Sequence, residues 1–384
     1  MLKNYSIRLP GRVFSGEKAL DNIIDVVHGK YRKATVFTDR GIRSSGIVDA
    51  PVAKLKEAGI EVEIIDQLPS EPTYEQAQQV IDCFREQHAD FIVAIGGGSV
   101  MDIAKLASVT ASGKYGVKDL LENPSLANKT IRTMMIPTTA GTGSEATPNS
   151  IVAVPEKELK VGIVSEEMLA DYVILDGAMI RNLPEKIAAS TGIDALCHAL
   201  ECYMSTKANP FSNLFAMQAM KLIFSSIEKA CLAKDSMAEK QNMLLAAFYG
   251  GVAICASGTT AVHALSYPLG GKYHIPHGVA NAIMLVPVLK FNSAACEKEF
   301  SEIYDAVCGG TNIPPAEKSR AIIRRVEEII RRLSLPTTLT GYGVSRDDLN
   351  MLVEEGLAVK RLLNNNKRTV GYEDAKRLYS EVLK

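Results

Sequence analysis

The first half of the chain alternates short apolar segments with amphipathic segments of helical length, and this alternation constrains the fold most strongly. Helical spacing follows Val48 as far as Gly59 and covers Tyr74–Gln87. Short strands separated by helices form a parallel sheet with helices on both faces. The sequence therefore predicts an α/β domain over residues 1–180. Its strand-like segments are Lys33–Asp39, Glu61–Ile65, Phe91–Ile95, Ile131–Ile136, Ile151–Val154 and Val173–Leu175.

From about Leu183 the pattern changes to long stretches that are rich in Ala, Leu and Met, and strand-like segments are nearly absent. The length of 384 residues suits two domains, because single domains commonly contain roughly 100–200 residues. We therefore expect an all-helical C-terminal domain over residues 181–384. Its helical segments include Glu185–Met204, Pro210–Leu232, Ala238–Cys255 and Pro315–Leu333.

Composition and charge exclude several classes of protein. The 43 Lys and Arg residues balance the 44 Asp and Glu residues, which argues against a nucleic-acid-binding surface. The opening MLKNYSIRLPGRVF lacks the apolar run of a secretory signal, and no segment approaches the roughly 18 apolar residues of a membrane span. The seven scattered cysteines are typical of reduced thiols. These features predict a cytoplasmic protein that binds neither nucleic acid nor a membrane.

Three consecutive glycines follow the predicted strand Phe91–Ile95 and precede a helical segment. Such a turn lets a phosphate group approach the backbone, and the first amide groups of a helix favour an anion. We expect Ser99 to be the N-cap residue of this helix, with Asp102 completing a capping box. Because the glycine spacing matches neither common nucleotide-binding pattern, a tight turn before a capped helix is the alternative.

Two further features would suit a bound dinucleotide. Asp39 ends the first predicted strand, where a carboxylate can accept hydrogen bonds from ribose hydroxyls and repel a 2′-phosphate, although it can also simply cap a turn. Residues 136–147, IPTTAGTGSEAT, contain four threonines and no large apolar side chain after the first residue. The segment is either a disordered polar loop or a loop wrapped on a ligand, and its small residues favour the second interpretation.

Histidine is scarce, with six residues in the chain. Asp194 and His198 are four residues apart in a helical segment, so their side chains project from one face. A turn at the Pro-Gly-Gly-containing segment between His263 and His277 would bring these two side chains together. One carboxylate and three imidazoles suit a divalent first-row metal. Taken singly, each histidine is explained as well by a place in the core or on the surface.

Other residues are weaker candidates for this site. His28 and His88 occur in charged, surface-like segments. We expect His274 to lie near the site without binding a metal. Cys202 follows His198 by one helical turn and is a possible soft ligand, but a thiol that packs in the core is the favoured interpretation.

Four motifs together resemble the iron-dependent (group III) alcohol dehydrogenases, a group that includes lactaldehyde reductase and 1,3-propanediol dehydrogenase. They are GGGS with D-x-x-K at 96–105, PTTAGTGSE at 137–145, GIDALCHALE at 192–201 and HALSYPLGGKYHIPHGVANA at 263–282. The closing LLNNNKRTVGYEDAKRLYSEVL is similar to the family's C-terminal signature, so the resemblance spans essentially the whole chain. It implies a dinucleotide-binding α/β domain followed by a helical metal-binding domain.

The resemblance also implies roles for individual residues and the identity of the cofactors. Asp39 stands where an acidic residue favours NAD over NADP, in agreement with the ribose argument. The implied cofactors are NAD and Fe(II), with Zn(II) as the alternative metal, and the implied assembly is a homodimer or a larger homo-oligomer. The metal ligands would be Asp194, His198, His263 and His277, and the cofactor contacts would come from Asp39, Gly97, Gly98, Ser99, Asp102, Thr138, Thr139, Thr142, Asn149 and Lys160.

Two positions depart from the family pattern. Many members carry a further histidine one helical turn after the third metal ligand, whereas this chain has Tyr267. Tyr267 is therefore a candidate pocket residue, and a proton relay through an imidazole at this position is in question. Ser70 stands where an Asn often contacts the cofactor, so it would make only part of that contact.

We therefore predict a metal-dependent, NAD-linked oxidoreductase that interconverts a small primary alcohol or diol and its aldehyde by hydride transfer. An alternative among enzymes is a hydroxyacid–oxoacid transhydrogenase or another NAD and metal enzyme of the same fold, such as dehydroquinate synthase. The alternative from another class is a non-catalytic dinucleotide-binding protein. Retention of four metal-ligand positions together with the glycine and threonine loops argues against that last alternative.

Overall fold

The computed structural model describes residues 4–69, 71–157, 159–310 and 312–383 of the chain. The chain divides into two compact units. One is Arg8–Leu183, and the other runs from Pro184 to the C-terminus and also includes the residues before Arg8. Every β-strand in the described part of the chain lies in Arg8–Leu183. Among the described residues, no single helix is long and apolar enough to cross a membrane.

The unit Arg8–Leu183 is built on a parallel sheet. Its strands, among the residues described, are β1 (Arg12–Ser15), β2 (Lys33–Phe37), β3 (Glu61–Ile65), β4 (Phe91–Gly96), β5 (Arg132–Pro137), β6 (Asn149–Val154), β7 (Leu159–Val164) and β8 (Tyr172–Leu175). Six of them form one sheet in the order β1-β8-β5-β4-β2-β3, in which all neighbours are parallel. Strands β6 and β7 form a separate antiparallel hairpin. The predicted α/β fold with a parallel sheet is confirmed.

The centre of the sheet is apolar on both faces. Every residue of β4 is buried, as expected for a parallel strand that is covered by helices on both sides. Phe91, Val93 and Ile95 share one face of β4 and belong to a buried core with Ile23 and Leu55 from the helices. Because the strands are parallel, the carboxyl ends of β2, β4 and β5 meet at one edge of the sheet, where ligands of such folds bind.

The helices of this unit are α1 (Asn22–Val27), α2 (Arg40–Ser44), α3 (Asp49–Glu57), α4 (Tyr74–Glu86), α5 (Gly98–Thr110) and α6 (Val117–Glu122). The predicted capping box at the start of α5 is wrong. The N-cap residue is Gly97, whose extended backbone leads into a helix that begins at Gly98, so Ser99 lies inside the first turn. Asp102 therefore cannot reach back to a Ser99 cap, and its carboxylate has other partners.

The second unit is helical throughout its described residues. Its helices are α7 (Glu185–Met204), α8 (Pro210–Leu232), α9 (Met237–Ser257), α10 (Ala261–Tyr273), α11 (His277–Asn292), α12 (Glu297–Cys308), α13 (Pro315–Arg332), α14 (Leu349–Ala358), α15 (Lys360–Leu363) and α16 (Tyr372–Val382). Helix α7 packs against α8, α9 and α11 and is buried along most of its length. Its polar residues must therefore find partners inside the protein, because an unpaired buried charge is costly.

The predicted turn between His263 and His277 is wrong in its position. Pro268 and Gly270 lie inside the single helix α10, and the chain turns later, through His274 in the left-handed conformation with φ 54°. Burial of the first two-thirds of α10 overrides the weak helix propensity of these residues. Helix α11 then begins at His277. Gly278 lets α11 approach α7 closely, since a Cβ atom there would overlap the carbonyl oxygen of Ser190.

Candidate metal and cofactor sites

Four polar side chains from three helices meet inside the helical unit. Helix α7 supplies Asp194 and His198 one turn apart, α10 supplies His263, and α11 supplies His277. The Nε2 atoms of the three histidines lie 3.6, 3.5 and 3.5 Å from Oδ1 of Asp194, in chain order. Possible ligand atoms of Asp194, His263 and His277 all lie within 4.8 Å of one another. The structure thus brings together the four residues that the sequence predicts as metal ligands.

The charge at this cluster is fixed by the imidazoles around Asp194. Burial alone would raise the pKa of Asp194, but the three histidines outweigh this effect and hold the pKa well below its usual range. The side chain is therefore an anion inside the protein. A divalent metal ion would displace protons from the imidazoles. One carboxylate and three neutral imidazoles would then give the site a net charge of +1, which is a common donor set for first-row metals. The donor set thus fits a divalent metal ion.

Access to the cluster differs between its members. The side chain of His277 is 38% exposed, whereas those of Asp194, His198 and His263 are buried. Metal sites that act in catalysis keep one coordination position open to substrate, unlike closed structural sites. The exposed side of His277 is consistent with an open site.

Asn281 and Ser266 hold the carboxylate of Asp194 in place. The Asn281 amide nitrogen donates a hydrogen bond of 2.7 Å to Oδ1 of Asp194 and lies 3.3 and 3.2 Å from the Nε2 atoms of His263 and His277. Ser266 donates to the amide oxygen of Asn281 at 2.5 Å and so defines the orientation of the amide. Sequence reasoning missed Asn281, although it lies one helical turn after His277 on the same face of α11.

Glu201 lies directly behind His263. Its Oε2 atom is hydrogen-bonded to Nδ1 of His263, the ring nitrogen on the side away from Asp194. Burial would raise the pKa of Glu201, but His263 and the other donors lower it below the usual value. Sequence reasoning missed this role, although Glu201 ends the GIDALCHALE motif and follows Asp194 by seven residues, which places both on one face of α7.

Tyr267 lies one turn after His263 on α10, and its ring centroid is 6.1 Å from that of His277. Burial raises the pKa of the phenol, and the charge of Arg361 offsets part of this rise. Tyr267 therefore borders the cluster, and its role as a pocket residue stays a prediction. His274 is exposed, whereas Cys202 is a buried thiol.

The unit Arg8–Leu183 contains a cavity of about 710 Å³ at the carboxyl edge of the sheet. This volume lies within the roughly 300–1,000 Å³ that is usual for ligand pockets. Four of the predicted cofactor residues line it: Asp39, Gly97, Gly98 and Ser99. Sequence reasoning missed other lining residues, namely Arg40, Gly41, Asp66, Gln67, Leu68, Pro69, Gln76, Gln79, Val80 and Val100. Asp66 directly follows β3, so its place at a strand end was the available signal.

Asp39 caps a helix and also lines the cavity, and its contact with a ribose stays a prediction. Its Oδ1 atom accepts a 2.8 Å hydrogen bond from the backbone of Ile42 and caps α2. The same residue lines the cavity, where Oδ2 can accept a further hydrogen bond. Asp66 also lines the cavity and forms a 2.7 Å ion pair with Arg43. The edge of the cavity near α2 therefore carries two carboxylates, one of which is paired.

The threonine-rich loop is largely buried and packs on the glycine turn, so it is not a disordered segment. A Cβ atom added at Gly98 would lie 3.0 Å from Cγ2 of Thr142, and one added at Gly97 would lie 3.5 Å from Oγ1 of Thr139. The hydroxyl groups of Thr138 and Thr38, which follow β5 and β2, are buried without a hydrogen-bond partner among the described residues. Buried hydroxyls of this kind at the sheet edge fit a polar ligand.

Asp102 connects the threonine-rich loop to α5 through hydrogen bonds. Its carboxylate accepts hydrogen bonds from the Ser144 hydroxyl at 2.6 Å and from the Ile151 backbone at 3.0 Å. The buried ammonium group of Lys105 donates to the same Ser144 hydroxyl and to the backbone oxygen of Asn149, each at 2.7 Å. Asp102 and Asn149 are thus linked through one buried network that shapes the loop.

Lys160 is one of the six predicted cofactor residues that do not line the cavity, together with Asp102, Thr138, Thr139, Thr142 and Asn149. It lies on β7, where its ammonium group forms a 2.6 Å ion pair with Glu71. Asn149 and Lys160 share one face of the β6–β7 hairpin, because Asn149 pairs with Val164 and alternate residues of β7 face the same side. A contact of either side chain with a cofactor stays a prediction. Ser70 lies outside the described residues.

Comparison with known proteins identifies the family. Residues 10–177 match the sequence model described as iron-containing alcohol dehydrogenase, and residues 188–383 match that of the C-terminal part of the Fe-containing alcohol dehydrogenase family. The chain belongs to the iron-containing alcohol dehydrogenase family. The resemblance drawn from the four motifs, and the assignment as an enzyme of this type, are therefore confirmed.

Relatives of this iron-containing alcohol dehydrogenase match it over nearly their whole length. It is 32% identical over 369 residues to long-chain-alcohol dehydrogenase 1 of Geobacillus thermodenitrificans, which covers 95% of this chain and 93% of that protein. It is 33% identical over 343 residues to 1,3-propanediol dehydrogenase of Klebsiella pneumoniae, covering 88% of each. A crystal structure of 1,3-propanediol oxidoreductase superposes with a TM-score of 0.94 at 29% identity and covers 99% of this chain and 100% of that one.

Proposed function

We propose that this alcohol dehydrogenase interconverts a small primary alcohol or diol and its aldehyde, with NAD as cofactor and one divalent metal ion. The ion, Fe(II) or Zn(II), would be held by Asp194, His198, His263 and His277. The observation that carries the proposal is the approach of three Nε2 atoms to within 3.5–3.6 Å of one buried carboxylate oxygen. The proposal assigns NAD binding to residues 1–180 and metal binding to residues 181–384.

A divalent metal ion bound here supplies Lewis acidity, which lowers the pKa of an alcohol and stabilises the developing negative charge. The chain provides the conditions for this chemistry. Asp194 stays ionised, the buried walls around His198 and His263 exclude water, and the exposed side of His277 leaves room for a small oxygen-containing substrate. Imidazole and carboxylate donors accept both Fe(II) and Zn(II), so the donor set does not select between them.

NAD supplies the hydride-accepting chemistry when it is bound. On the protein side, the backbone amides of Gly98 and Ser99 at the start of α5 favour a pyrophosphate group. The hydroxyls of Thr138 and Thr38 lack partners within the described chain and suit polar groups of the same ligand. Asp39 supports NAD over NADP, since a 2′-phosphate would meet its negative charge.

Burial raises the pKa of the Tyr267 phenol, so this side chain is neutral near neutral pH. We assign it a role in shaping the pocket beside His277. The proton of the alcohol would then leave through water or a ribose hydroxyl group. Cytoplasmic location and assembly into a homodimer or larger oligomer stay predictions.

The test measures NADH formation with alcohols and diols of two to four carbon atoms, after chelation and after addition of Fe(II) or Zn(II). We expect net NADH formation that disappears on chelation and returns with metal. Activity that does not depend on metal would contradict the proposal. Turnover of a hydroxyacid with an oxoacid, without net NADH formation, would favour a transhydrogenase instead.

A further inference from the structure

Glu201 is a buried carboxylate that contacts a candidate metal ligand but has no role in the proposed function so far. It is 1% exposed and lies on the face of α7 that also carries Asp194. Removing a carboxylate from water costs several kcal/mol unless hydrogen bonds compensate for the lost solvation. The partners of its two oxygen atoms therefore define what this residue does.

The two oxygens have different partners. Oε1 accepts hydrogen bonds from the backbone of Thr260 at 3.0 Å, from its hydroxyl at 2.8 Å and from the backbone of Val262 at 2.8 Å. These are donors at the start of α10, whose N-cap residue Thr260 makes no side-chain cap of its own. Oε2 is hydrogen-bonded to Nδ1 of His263. One oxygen thus caps a helix, and the other holds an imidazole.

We propose that Glu201 is a positioning residue that keeps a proton on Nδ1 of His263 and thereby presents the Nε2 lone pair to the metal ion. This inference rests on the proposed metal site. A carboxylate oxygen can only accept, so the hydrogen of a neutral His263 ring must lie on Nδ1. Nε2 then faces Oδ1 of Asp194 at 3.5 Å with a lone pair that can form a bond to a metal ion.

Asn281 independently requires the same arrangement. Its amide nitrogen can only donate and lies 3.3 Å from Nε2 of His263. A hydrogen on Nε2 would therefore face the amide hydrogens and be repelled by them. The side-chain amide of Asn281 cannot flip, exchanging its oxygen and nitrogen, without losing the hydrogen bond from Ser266. Two buried groups on opposite sides of the ring therefore select the same tautomer. Outer hydrogen-bond partners of this kind commonly change metal affinity by about 10- to 100-fold.

If Glu201 served only as the cap of α10, Glu201→Gln would leave the metal affinity unchanged. This substitution therefore separates the two roles. Glutamine keeps one carbonyl oxygen for Thr260 and Val262 but places an amide donor against Nδ1. His263 must then accept at Nδ1 and carry its hydrogen on Nε2. The matched control is Glu302→Gln in the same unit, where the carboxylate accepts a 2.7 Å hydrogen bond from the Tyr203 hydroxyl.

The experiment titrates Zn(II) into the metal-depleted full-length protein in competition with a chromophoric chelator. We expect Glu201→Gln to bind Zn(II) about 10- to 100-fold more weakly than the wild type. Glu302→Gln should bind as the wild type does. Thermal unfolding of the metal-free protein should remain cooperative in Glu201→Gln, because the helix cap is kept. Equal Zn(II) affinity in Glu201→Gln and the wild type would overturn the inference.

A second measurement decides the case if Glu201→Gln does not fold. Long-range 1H–15N NMR spectra of the wild type, labelled with 15N-histidine and loaded with Zn(II), report which nitrogen of each ring is protonated. We expect His263 to carry hydrogen on Nδ1 and to bind metal through Nε2, and the reverse pattern would overturn the inference. Failure of the wild type to bind Zn(II) at all would instead contradict the proposed function itself.

Discussion

The cluster around Asp194 and the cavity beside Gly98 are built in opposite ways. In the cluster, charged and polar side chains are buried and orient one another, as Asn281 does for Asp194. In the cavity, glycines, backbone amides and small hydroxyl side chains leave about 710 Å³ of space. A point charge such as a metal ion is held by a few oriented donors, whereas an extended dinucleotide is held by shape and backbone groups.

The two regions also treat a buried carboxyl group differently. Asp194 in the cluster and Glu145 in the threonine loop are each 2% exposed. Three imidazoles lower the pKa of Asp194, whereas burial raises the pKa of Glu145 to about 7 because a backbone hydrogen bond and the charge of Lys105 compensate only in part. The effect of burial on the carboxyl pKa is thus offset by charge in the cluster and is largely uncompensated in the loop. Four predictions test this contrast.

His263→Ala should have the largest effect, because it removes a metal ligand together with the partner of Glu201. We expect kcat/KM for alcohol oxidation to fall by more than the roughly 100-fold that loss of an outer hydrogen-bond partner costs. NADH formation and the metal content of the purified protein are the measurements. His28→Ala, in the other unit, is the control. Unchanged activity in His263→Ala would remove the cluster from the mechanism.

Glu145→Gln should change how stability depends on pH. The pKa of Glu145 in the folded protein is raised above its ordinary value, so its contribution is fully present below about pH 4.5 and is lost as the pH rises towards 7. The wild type should therefore lose roughly 2 kcal/mol more than Glu145→Gln between pH 5 and pH 8. Urea unfolding at both pH values measures this difference.

The control for this pH effect is Glu86→Gln, since the side chain of Glu86 is exposed. It should keep the pH dependence of the wild type. If Glu145→Gln also keeps that dependence, then Glu145 is ionised in the folded protein, and the contrast with Asp194 does not hold.

Gly98→Ala should weaken NAD binding and leave metal binding intact. The added methyl group would lie 3.0–3.4 Å from three atoms of Thr142, so the threonine loop must shift. Overpacking of this kind costs about 1–3 kcal/mol, and we expect the dissociation constant for NAD to rise about tenfold. Fluorescence titration measures it. Gly310→Ala is the control, because a Cβ atom at Gly310 comes no closer than 4.0 Å to its neighbour Asp305. Equal NAD affinity in both variants would exclude the glycine turn from the binding site.

Asp39→Asn should have the smallest effect, a severalfold fall in the preference for NAD over NADP. Asparagine caps helices as well as aspartate does, so the helix α2 stays capped while the charge is lost. Steady-state kinetics with both cofactors gives the ratio of kcat/KM values. Asp66→Asn should change this ratio less, because Asp66 is paired with Arg43. An unchanged ratio in Asp39→Asn would remove Asp39 as the determinant.

The sequence predicts the fold well where one pattern, helical or continuously apolar, runs through a whole segment. Residues 185–204 and 210–232 have the predicted bounds as α7 and α8, and β4 differs from its predicted segment by one residue. Strand β1 was missed because its residues lie at the sheet edge and are mostly exposed, so no apolar run marks them. Strand β7 was missed as well, and it forms a hairpin outside the main sheet.

The sequence predicted the relative positions of side chains on one helix, but it did not predict local structure where tertiary packing decides. Spacing alone placed Asp194 and His198 together. The predicted Ser99 cap failed because Gly97 takes the cap position. The predicted Pro-Gly-Gly turn failed because packing keeps Pro268 within α10. Many of the residues that line the cavity come from α2, α4 and the segment after β3, and their approach to one another is set by the assembled sheet.

The central claim is that one divalent metal ion is bound by Asp194, His198, His263 and His277. An anomalous difference map, collected at the absorption edge of iron or zinc from crystals of the metal-loaded protein, tests it directly. We expect a single strong peak within bonding distance of the Asp194 carboxylate and of the three Nε2 atoms. A peak at other residues, or no peak at this cluster in metal-loaded crystals, would contradict the account.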